Sequence, residues 1–176
     1  MSHQFSYRIG LGEHHEKWVL SKLQELYGKR IKHAAPFGQG LLPEITRNFL
    51  RNSTDNSGAK NLLRWMPDIV CINLKDTCFL VEAKSGDRWK QTGNHAVEKE
   101  SLQAAITFEE HFKIDVLFIF SDGRGLVARQ LEKHPGKKEY SQRACAGSGT
   151  PFYTWPASDI PQIIEPTPPY LMEVTA

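Results

Sequence analysis

Residues 67–84 read PDIVCINLKDTCFLVEAK and contain two apolar runs separated by a short polar segment. The runs, residues 69–74 and 78–83, are rich in β-branched and aromatic side chains, and residues 75–77 are the polar segment. Runs of this length and composition, joined by a few polar residues, are typical of paired β-strands. The sequence therefore predicts a β-hairpin with a short polar turn.

The predicted hairpin brings three ionisable side chains together. Glu82 and Lys84 emerge on one face of the second strand, because side chains alternate between the two faces of a strand. Asp68 begins the first strand, and in an antiparallel hairpin the start of one strand lies beside the end of the next. We therefore expect Asp68 to lie close to both Glu82 and Lys84.

This grouping has the composition of a catalytic metal centre. Two neighbouring carboxylates repel each other unless a cation or a proton intervenes, and their hard oxygen atoms suit Mg²⁺ or Mn²⁺ rather than zinc. A lysine beside such an ion can orient an attacking water or neutralise charge that grows on a phosphoryl group. Asp68 and Glu82 are therefore candidate metal ligands and, with Lys84, candidate catalytic residues. In the simpler alternative, Asp68 only starts a strand while Glu82 and Lys84 form a surface ion pair.

The Pro67-Asp68 pair and the Glu82-Ala83-Lys84 triplet resemble the motif of the PD-(D/E)xK nuclease superfamily, in which Pro-Asp on one strand precedes Asp/Glu-x-Lys on the next. The resemblance extends over roughly residues 10–120, where the order of helices and strands also looks like that family's core. It implies an α/β fold with a mixed central β-sheet flanked by helices, the restriction-endonuclease-like core. It also implies hydrolysis of DNA phosphodiester bonds with Mg²⁺ or Mn²⁺, and the main-chain carbonyl of Ala83 as a further metal ligand.

An amphipathic helix is predicted before the hairpin, over residues 12–27. Its apolar side chains recur at helical spacing until Gly28, a residue type that commonly ends helices. Superfamily members often bring an additional acid from the first helix to the metal, and Glu16, at the amino end of the apolar face, matches by position. Glu13, one turn earlier, is the substitute. The alternative for both acids is a favourable charge at a helix amino end.

After the hairpin the sequence predicts a helix over residues 95–112 and a strand over residues 114–120. The nearly continuous apolar run of the latter indicates a strand buried on both faces of a mixed sheet that helices cover. Many superfamily members carry a glutamine on the helix after the lysine. Gln103 matches that position and is a candidate catalytic residue by resemblance, although Thr107 stands where a tyrosine often accompanies it. The alternative for Gln103 is a solvated helix residue.

Positive charge is concentrated in two segments, although the net charge is only +2. Residues 28–66 and 124–143 are locally basic, which a phosphate-backbone ligand requires, but such loops are often merely solvated. Trp89 lies between two cations and either stacks on an unpaired base or packs under a loop. The candidate nucleic-acid contacts are Arg30, Lys32, Arg47, Arg51, Arg64, Arg88, Trp89, Lys90 and Arg124.

We expect one nuclease domain over residues 1–176, with its core at about 10–120 and with a basic loop, a late strand and a proline-rich tail in 121–176. A long loop is expected at 29–64, with one short helix within 42–50. Beyond the core the sequence predicts a helix at 126–131, a loop at 133–150, an edge strand at 152–155, a capped helical turn at 158–164 and a tail without a fold of its own after residue 165.

The composition is that of an ordinary globular chain, with 40% hydrophobic and 24% charged residues. No uninterrupted apolar stretch reaches the ~20 residues of a membrane span, and the first residues lack a secretory pattern. We therefore expect a soluble, cytoplasmic protein. Cys71, Cys78 and Cys145 match no common zinc spacing, and we expect cysteines on the central strands to be small buried apolar side chains.

Within the superfamily, this short chain looks most similar to the small Holliday-junction resolvases and related phage nucleases. That similarity implies a structure-specific endonuclease of DNA recombination or repair that works as a homodimer. The alternatives of the same fold are a DNA exonuclease and a restriction-type endonuclease, and RNA stays open as a substrate. A rival from another class is a non-catalytic nucleic-acid-binding module, although such a module has no need of mutually repelling carboxylates.

Overall fold

The structure is a computed structural model that describes residues 3–38, 41–43, 45–46, 62–85, 93–140 and 151–166. The strands, in chain order, are β1 (Ile31–Pro36), β2 (Ile69–Asn73), β3 (Cys78–Lys84), β4 (His95–Glu98), β5 (Asp115–Phe120), β6 (Gly125–Val127), β7 (Lys138–Tyr140) and β8 (Phe152–Trp155). The helices are α1 (His3–Glu25), α2 (Lys99–Phe112) and α3 (Ala128–Lys133), with a 3-10 turn at Ala157–Asp159.

The larger described sheet has five strands in the order β1-β2-β3-β5-β6. Strands β3 and β5 are parallel, and every other neighbouring pair is antiparallel. The predicted hairpin is therefore confirmed as β2 and β3, and the buried run near 114–120 is confirmed as β5. Together with the helices on its faces, this mixed sheet confirms the predicted α/β class.

Two layers cover the larger sheet. On one face, Val19 and Leu23 of α1 pack in a core with Ile69 and Val81 of the hairpin. On the other face, Leu80 and Phe118 belong to a core that also contains residues of α2, α3 and β8. Phe118 is fully buried, and burial of such a side chain contributes about 1.5–3 kcal/mol. The alternation of side chains along β3 thus divides the hairpin between the two cores.

A second, three-stranded sheet has the order β4-β8-β7 and corrects several predictions. Residues 95–98 form strand β4, so the helix predicted from residue 95 begins at Lys99. Strand β8 is central in its sheet, whereas an edge strand was expected, and β7 lies within the predicted loop at 133–150. These short strands owe their conformation to pairing with distant segments, which their local composition does not reveal.

The first helix begins at His3 rather than at residue 12 and ends at Glu25, shortly before Gly28, which adopts the left-handed conformation expected after a helix end, with φ of +74°. A short strand, β6, replaces the start of the helix predicted at 126–131, and α3 continues from Ala128 to Lys133. The capped turn expected at 158–164 is shorter, and the extended chain after it hydrogen-bonds to the β5–β6 turn through the Gly123 carbonyl. No helix among the described residues is both long and apolar enough to cross a membrane.

Several predictions fall on residues that lie outside the described part of the chain. They are most of the short helix within 42–50, the loop tip before residue 62, the position of Cys145, and the tail from residue 167 onward. The described cysteines, Cys71 and Cys78, are free thiols, and Cys71 is buried as expected.

Candidate active site

The β2–β3 hairpin places the Asp68 and Glu82 side chains side by side. Ile69 pairs with Val81 in the antiparallel register, so Asp68, one residue earlier, comes opposite Glu82. Two main-chain bonds fix Asp68: its N–H donates to the Val81 carbonyl at 2.9 Å, and its own carbonyl accepts from Phe37 N–H at 2.7 Å. Residues directly opposite each other project their side chains to the same face. The expected proximity of the two carboxylates follows from this register.

The Asp68 carboxylate has one oxygen occupied by the protein. Its Oδ2 accepts a hydrogen bond of 2.8 Å from Ala83 N–H. This bond orients the side chain along the end of β3, where the main chain of Ala83 lies between Glu82 and Lys84. The carboxylate is thereby held in place by the same segment that carries the other two ionisable residues.

Lys84 lies between two carboxylates and an aromatic ring. Its Nζ is 2.9 Å from Glu82 Oε1 and 3.3 Å from Glu98 Oε2. The side chains of Lys84 and Glu82 are only 16% and 11% exposed, so this is no surface ion pair of the kind that contributes little. The Trp65 ring centroid is 5.6 Å from Lys84 Nζ. The alternative of an exposed Glu82–Lys84 pair does not describe the geometry observed.

Burial is the largest influence on the pKa values of both acids. Burial raises the pKa of Asp68 well above its usual range, and the negative charges of Glu82 and Glu16 raise it further. Burial also raises the pKa of Glu82, against the opposing effect of Lys84. For Lys84, burial lowers the pKa, but Glu82 and Glu98 outweigh burial and raise it above its ordinary value. Lys84 is therefore a cation that only partly compensates the acids around it.

Helix α1 directs Glu16, rather than Glu13, toward this centre. Glu13 is exposed, whereas Glu16 is half-buried and close enough for its charge to raise the pKa of Asp68. The neighbouring His15 is completely buried, and its Nε2 lies 3.2 Å from the carbonyl oxygen of Ile119 on β5. This contact ties the helix to the sheet one residue before Glu16. The contact fixes the rotation of α1 about its own axis, and therefore the direction in which the Glu16 side chain points.

The donor set suits a hard divalent cation. Asp68 and Glu82 supply carboxylate oxygens from one face, and their pKa values are raised by burial first and, for Asp68, by the negative charge of Glu82, which a bound cation would offset. Within the described part of the chain, no group of three or more His, Cys, Asp and Glu side chains is preassembled around a metal position. Mg²⁺ is commonly bound through one or two carboxylates and keeps several water ligands, so a pair of acids fits it.

The other predicted site residues within the described chain lie on α2, beside the hairpin turn, after β5 and next to Trp65. Gln103 is exposed on α2, and its main-chain carbonyl accepts a hydrogen bond from Thr107 Oγ1. Arg30 and Lys32 lie by the hairpin turn, at the opposite end of β2 from Asp68, and Lys32 forms an ion pair with Asp76. Their assigned roles stay predictions.

Two further predicted phosphate contacts are engaged with the protein itself. Arg124 donates from Nη1 to the Ile160 carbonyl at 2.6 Å, and its Nε lies 3.5 Å from Asp122 Oδ2. Arg64 lies over the Trp65 ring, 5.4 Å from its centroid. The remaining predicted nucleic-acid contacts fall outside the described residues, namely Arg47, Arg51, Arg88, Trp89 and Lys90.

Glu98, which contacts Lys84, is a site residue that was not predicted from the sequence. Glu98 is the last residue of β4 and precedes the first residue of α2. The pKa of its carboxyl is lowered, chiefly by the positive charge of Lys84. The only sequence signal for this strand is the short run His-Ala-Val-Glu over His95–Glu98. It is only four residues long and merges with the helical pattern that follows.

Comparison with known proteins adds little to this picture. No family model matches the chain, and no curated protein matches it. A solved structure that resembles it is that of a nuclease from a fusselovirus, with a TM-score of 0.49 and 15% sequence identity over 86% of each chain. A likeness at this level carries no argument about function, which has to be inferred from the site.

Proposed function

We propose that the protein is a divalent-metal-dependent nuclease that hydrolyses DNA phosphodiester bonds. The observation that carries the proposal is the grouping of buried Glu82 with half-buried Asp68 and Lys84 at one end of the β2–β3 hairpin, with Lys84 Nζ 2.9 Å from Glu82. Two carboxylates that share a site with one lysine match the requirements for activating water beside a phosphate group. The resemblance to the PD-(D/E)xK motif supports the same chemistry.

Each residue has a distinct role in this proposal. Asp68 and Glu82 would hold Mg²⁺ or Mn²⁺, with the Ala83 carbonyl and Glu16 as supplementary ligands. When bound, the ion supplies Lewis acidity toward a phosphate oxygen and makes a water ligand more acidic. Lys84 remains positively charged beside this position, where its ammonium group neutralises the negative charge that grows on the phosphoryl oxygens in the transition state.

A purely structural role for the centre explains the observed geometry less well than a metal site does. Burying two acids that repel each other destabilises a protein unless an ion or a hydrogen-bond network compensates. Here Asp68 has one main-chain donor on its Oδ2, and Lys84 is shared between Glu82 and Glu98. Perturbed acids of this kind are characteristic of functional sites.

The experiment that tests the proposal is a cleavage assay with labelled duplex, single-stranded, flap and four-way-junction DNA. Each substrate is incubated with Mg²⁺, Mn²⁺ or EDTA, and an RNA duplex is included to decide between nucleic acids. We expect cleavage with either metal and none with EDTA. Undiminished cleavage in EDTA would contradict a metal-dependent site, and a protein that binds these substrates without cutting any of them would be the non-catalytic module.

For substrate class, we infer a structure-specific endonuclease of the junction-resolving kind, active in DNA recombination or repair. The inference rests on the resemblance of the short chain, its helix acid and its hairpin motif to the small resolvases. The four-way junction is therefore the substrate for which we expect preference over linear duplex. Progressive loss of nucleotides from linear ends would instead favour an exonuclease of the same fold.

A further inference from the structure

Lys84 has two acidic partners, and they come from different sheets. Glu82 precedes it by two residues on β3, at 2.9 Å. Glu98 comes from β4 of the second sheet, with its Oε2 3.3 Å from Lys84 Nζ. The Glu98 side chain is 43% exposed, whereas that of Glu82 is 11% exposed. The lysine therefore lies between a buried acid and a more accessible one.

The two pairings have opposite consequences for a cation at Glu82. An ammonium group that stays against Glu82 Oε1 occupies one of its oxygens and repels a divalent ion that approaches the same carboxylate. An ammonium group drawn toward Glu98 leaves that oxygen accessible. It still remains beside the site, because the two acids contact the same Nζ atom.

Glu98 is not needed as a cap for the helix that it precedes. It occupies the N-cap position of α2, with φ of −57° and ψ of 135°, yet its side chain makes no capping hydrogen bond. Its main chain is held instead by the second sheet, where Glu98 pairs with Phe152 and Lys99 N–H donates to the Pro151 carbonyl at 3.0 Å. The backbone is thus fixed by β8 while the carboxylate is directed to Lys84.

The second sheet also contacts the first sheet next to Lys84. His95, at the start of β4, stacks on Phe120 of β5 with ring centroids 4.1 Å apart. Phe120 is the residue that pairs with Lys84 in the parallel register of β3 and β5. The position of Glu98 relative to Lys84 is therefore set by contacts on both sides.

We propose that Glu98 is a positioning residue that draws the Lys84 ammonium group away from Glu82, so that Glu82 can bind a divalent cation while Lys84 stays beside the reacting phosphate. This inference rests on the proposed nuclease function and deepens it. It assigns the second sheet a role in the site, because that sheet carries the acid that competes for the lysine.

The test is a double-mutant cycle on Mn²⁺ affinity, measured by titration calorimetry in the absence of DNA. The variants are Glu98→Gln, Lys84→Met and the two combined. Glu98→Gln should weaken Mn²⁺ binding about tenfold, the lower end of the effect of losing a residue that supports a ligand. Lys84→Met should bind Mn²⁺ at least as tightly as wild type. In the Lys84→Met background, adding Glu98→Gln should change the affinity by less than about twofold, because Glu98 then has no lysine to hold.

A matched control is Glu139→Gln, which removes the acid of an exposed pair in the same sheet, with Lys99 Nζ 2.7 Å from Glu139 Oε1. It should leave Mn²⁺ affinity and cleavage unchanged. Glu98→Gln should also lower kcat with little change in KM for DNA, whereas a general loss of folding would be seen in the thermal unfolding of the same samples.

The outcomes separate this inference from the proposed function. Wild-type protein that binds no Mn²⁺ and cleaves nothing would overturn both. Wild-type protein that binds Mn²⁺ and cleaves DNA, with Glu98→Gln indistinguishable from it, would overturn the role of Glu98 alone. A tenfold loss of affinity on adding Glu98→Gln to both backgrounds would also overturn it, because Glu98 would then act on the cation directly rather than through Lys84.

Discussion

Asp68 is constrained by three hydrogen bonds to two segments, β3 and the chain directly after β1. Its N–H and carbonyl groups bond to Val81 and Phe37, and its carboxylate accepts from Ala83 N–H. An asparagine at this position retains the shape of the side chain and an oxygen acceptor for that last bond. The charge of Asp68 can therefore be removed with little disturbance of the hairpin.

Removing either carboxylate charge tests the centre most directly. We expect Asp68→Asn and Glu82→Gln each to lower the single-turnover cleavage rate by about 10³-fold or more, because each loses a charged ligand that both binds the ion and helps to activate water. Circular dichroism and DNA affinity in EDTA should stay close to wild type. Cleavage at the wild-type rate by either purified variant would show that the centre lies elsewhere.

Cys71 gives the protein a predictable response to alkaline pH. Burial raises the pKa of its thiol from 9.0 to about 12, with a further contribution from Cys78. Between these values the unfolded chain loses a proton that the folded chain keeps, so the free energy of unfolding falls as pH rises. The decline should reach about 1.4 kcal/mol per pH unit for this group and should be absent below pH 9.

Urea unfolding of wild type and Cys71→Ala on both sides of pH 9.0 measures this contribution. The variant is less stable at neutral pH, because it loses a buried side chain, but its stability should decline less steeply in alkali. Parallel declines in the two proteins would assign the alkaline effect to other groups.

The site residues that could be predicted from the sequence are those joined by one tight hairpin. Asp68, Glu82 and Lys84 are brought together by a local turn, so the period of the strands was sufficient to place them. Glu98 reaches Lys84 only because β4 pairs with β8, more than fifty residues later in the chain. No local pattern encodes that pairing, and Glu98 was for that reason overlooked.

At the scale of the elements, helix α1 decides which acid supplements the hairpin. Glu16→Ala should lower the cleavage rate more than Glu13→Ala, because Glu16 is half-buried near Asp68 whereas Glu13 is exposed. Single-turnover rates over a range of Mg²⁺ concentrations measure the difference, and the Glu16 variant should need more metal. A larger effect at Glu13 would show that Glu13, one turn closer to the amino end, is the contributing acid. Equal small effects would show that α1 contributes no residue to the site.

The chain after β1 passes directly against the Pro67-Asp68 segment. Gly38 has φ of +63°, and a Cβ at this residue would lie 2.3 Å from the Pro67 carbonyl oxygen. Gly28 has a similar φ of +74° but no atom within 4 Å of such a Cβ. The two glycines thus share a conformation and differ in their surroundings.

Gly38→Ala should therefore destabilise the protein by about 3 kcal/mol or more, from backbone strain and overpacking together. Gly28→Ala should destabilise the protein only through the strain of a left-handed backbone conformation, by about 1–2 kcal/mol. Gly38→Ala should also lower the cleavage rate at temperatures where it is folded, because displacing Pro67 moves Asp68. Urea unfolding and cleavage assays check both expectations, and equal effects of the two variants would show that the close approach is not important.

The larger elements were predictable where their apolar period is long. The hairpin and β5 each present a clear pattern over several residues and were found in the expected places, whereas α1 overlaps the predicted helix but begins at His3 rather than at residue 12. The second sheet was not predicted, because β4, β7 and β8 have only three or four residues each. Strands that short take their conformation from their partners more than from their own composition.

At the scale of the whole molecule, a junction-resolving activity requires two centres on one DNA. A chain that carries one such centre would make one nick at a time, and paired symmetric nicks are most simply made by a symmetric dimer. We therefore expect two chains per four-way junction. Sedimentation of the Asp68→Asn variant, alone and with a junction, measures this stoichiometry. A strictly monomeric protein that degrades linear ends processively would contradict it.

The pairing of β4 with β8 also has a consequence for synthesis of the chain. A nascent polypeptide that has emerged only as far as β5 contains Asp68, Glu82 and Lys84, and it can form the hairpin and the parallel β3–β5 pair. It lacks β8, the strand that pairs with β4 and so holds Glu98. Strand β8 is present only after residues 152–155 have left the ribosome. Domains generally complete their folding as units during synthesis. The proposed centre would thus lack the partner strand of β4, and with it the fixed position of Glu98, until residues 152–155 have been synthesised.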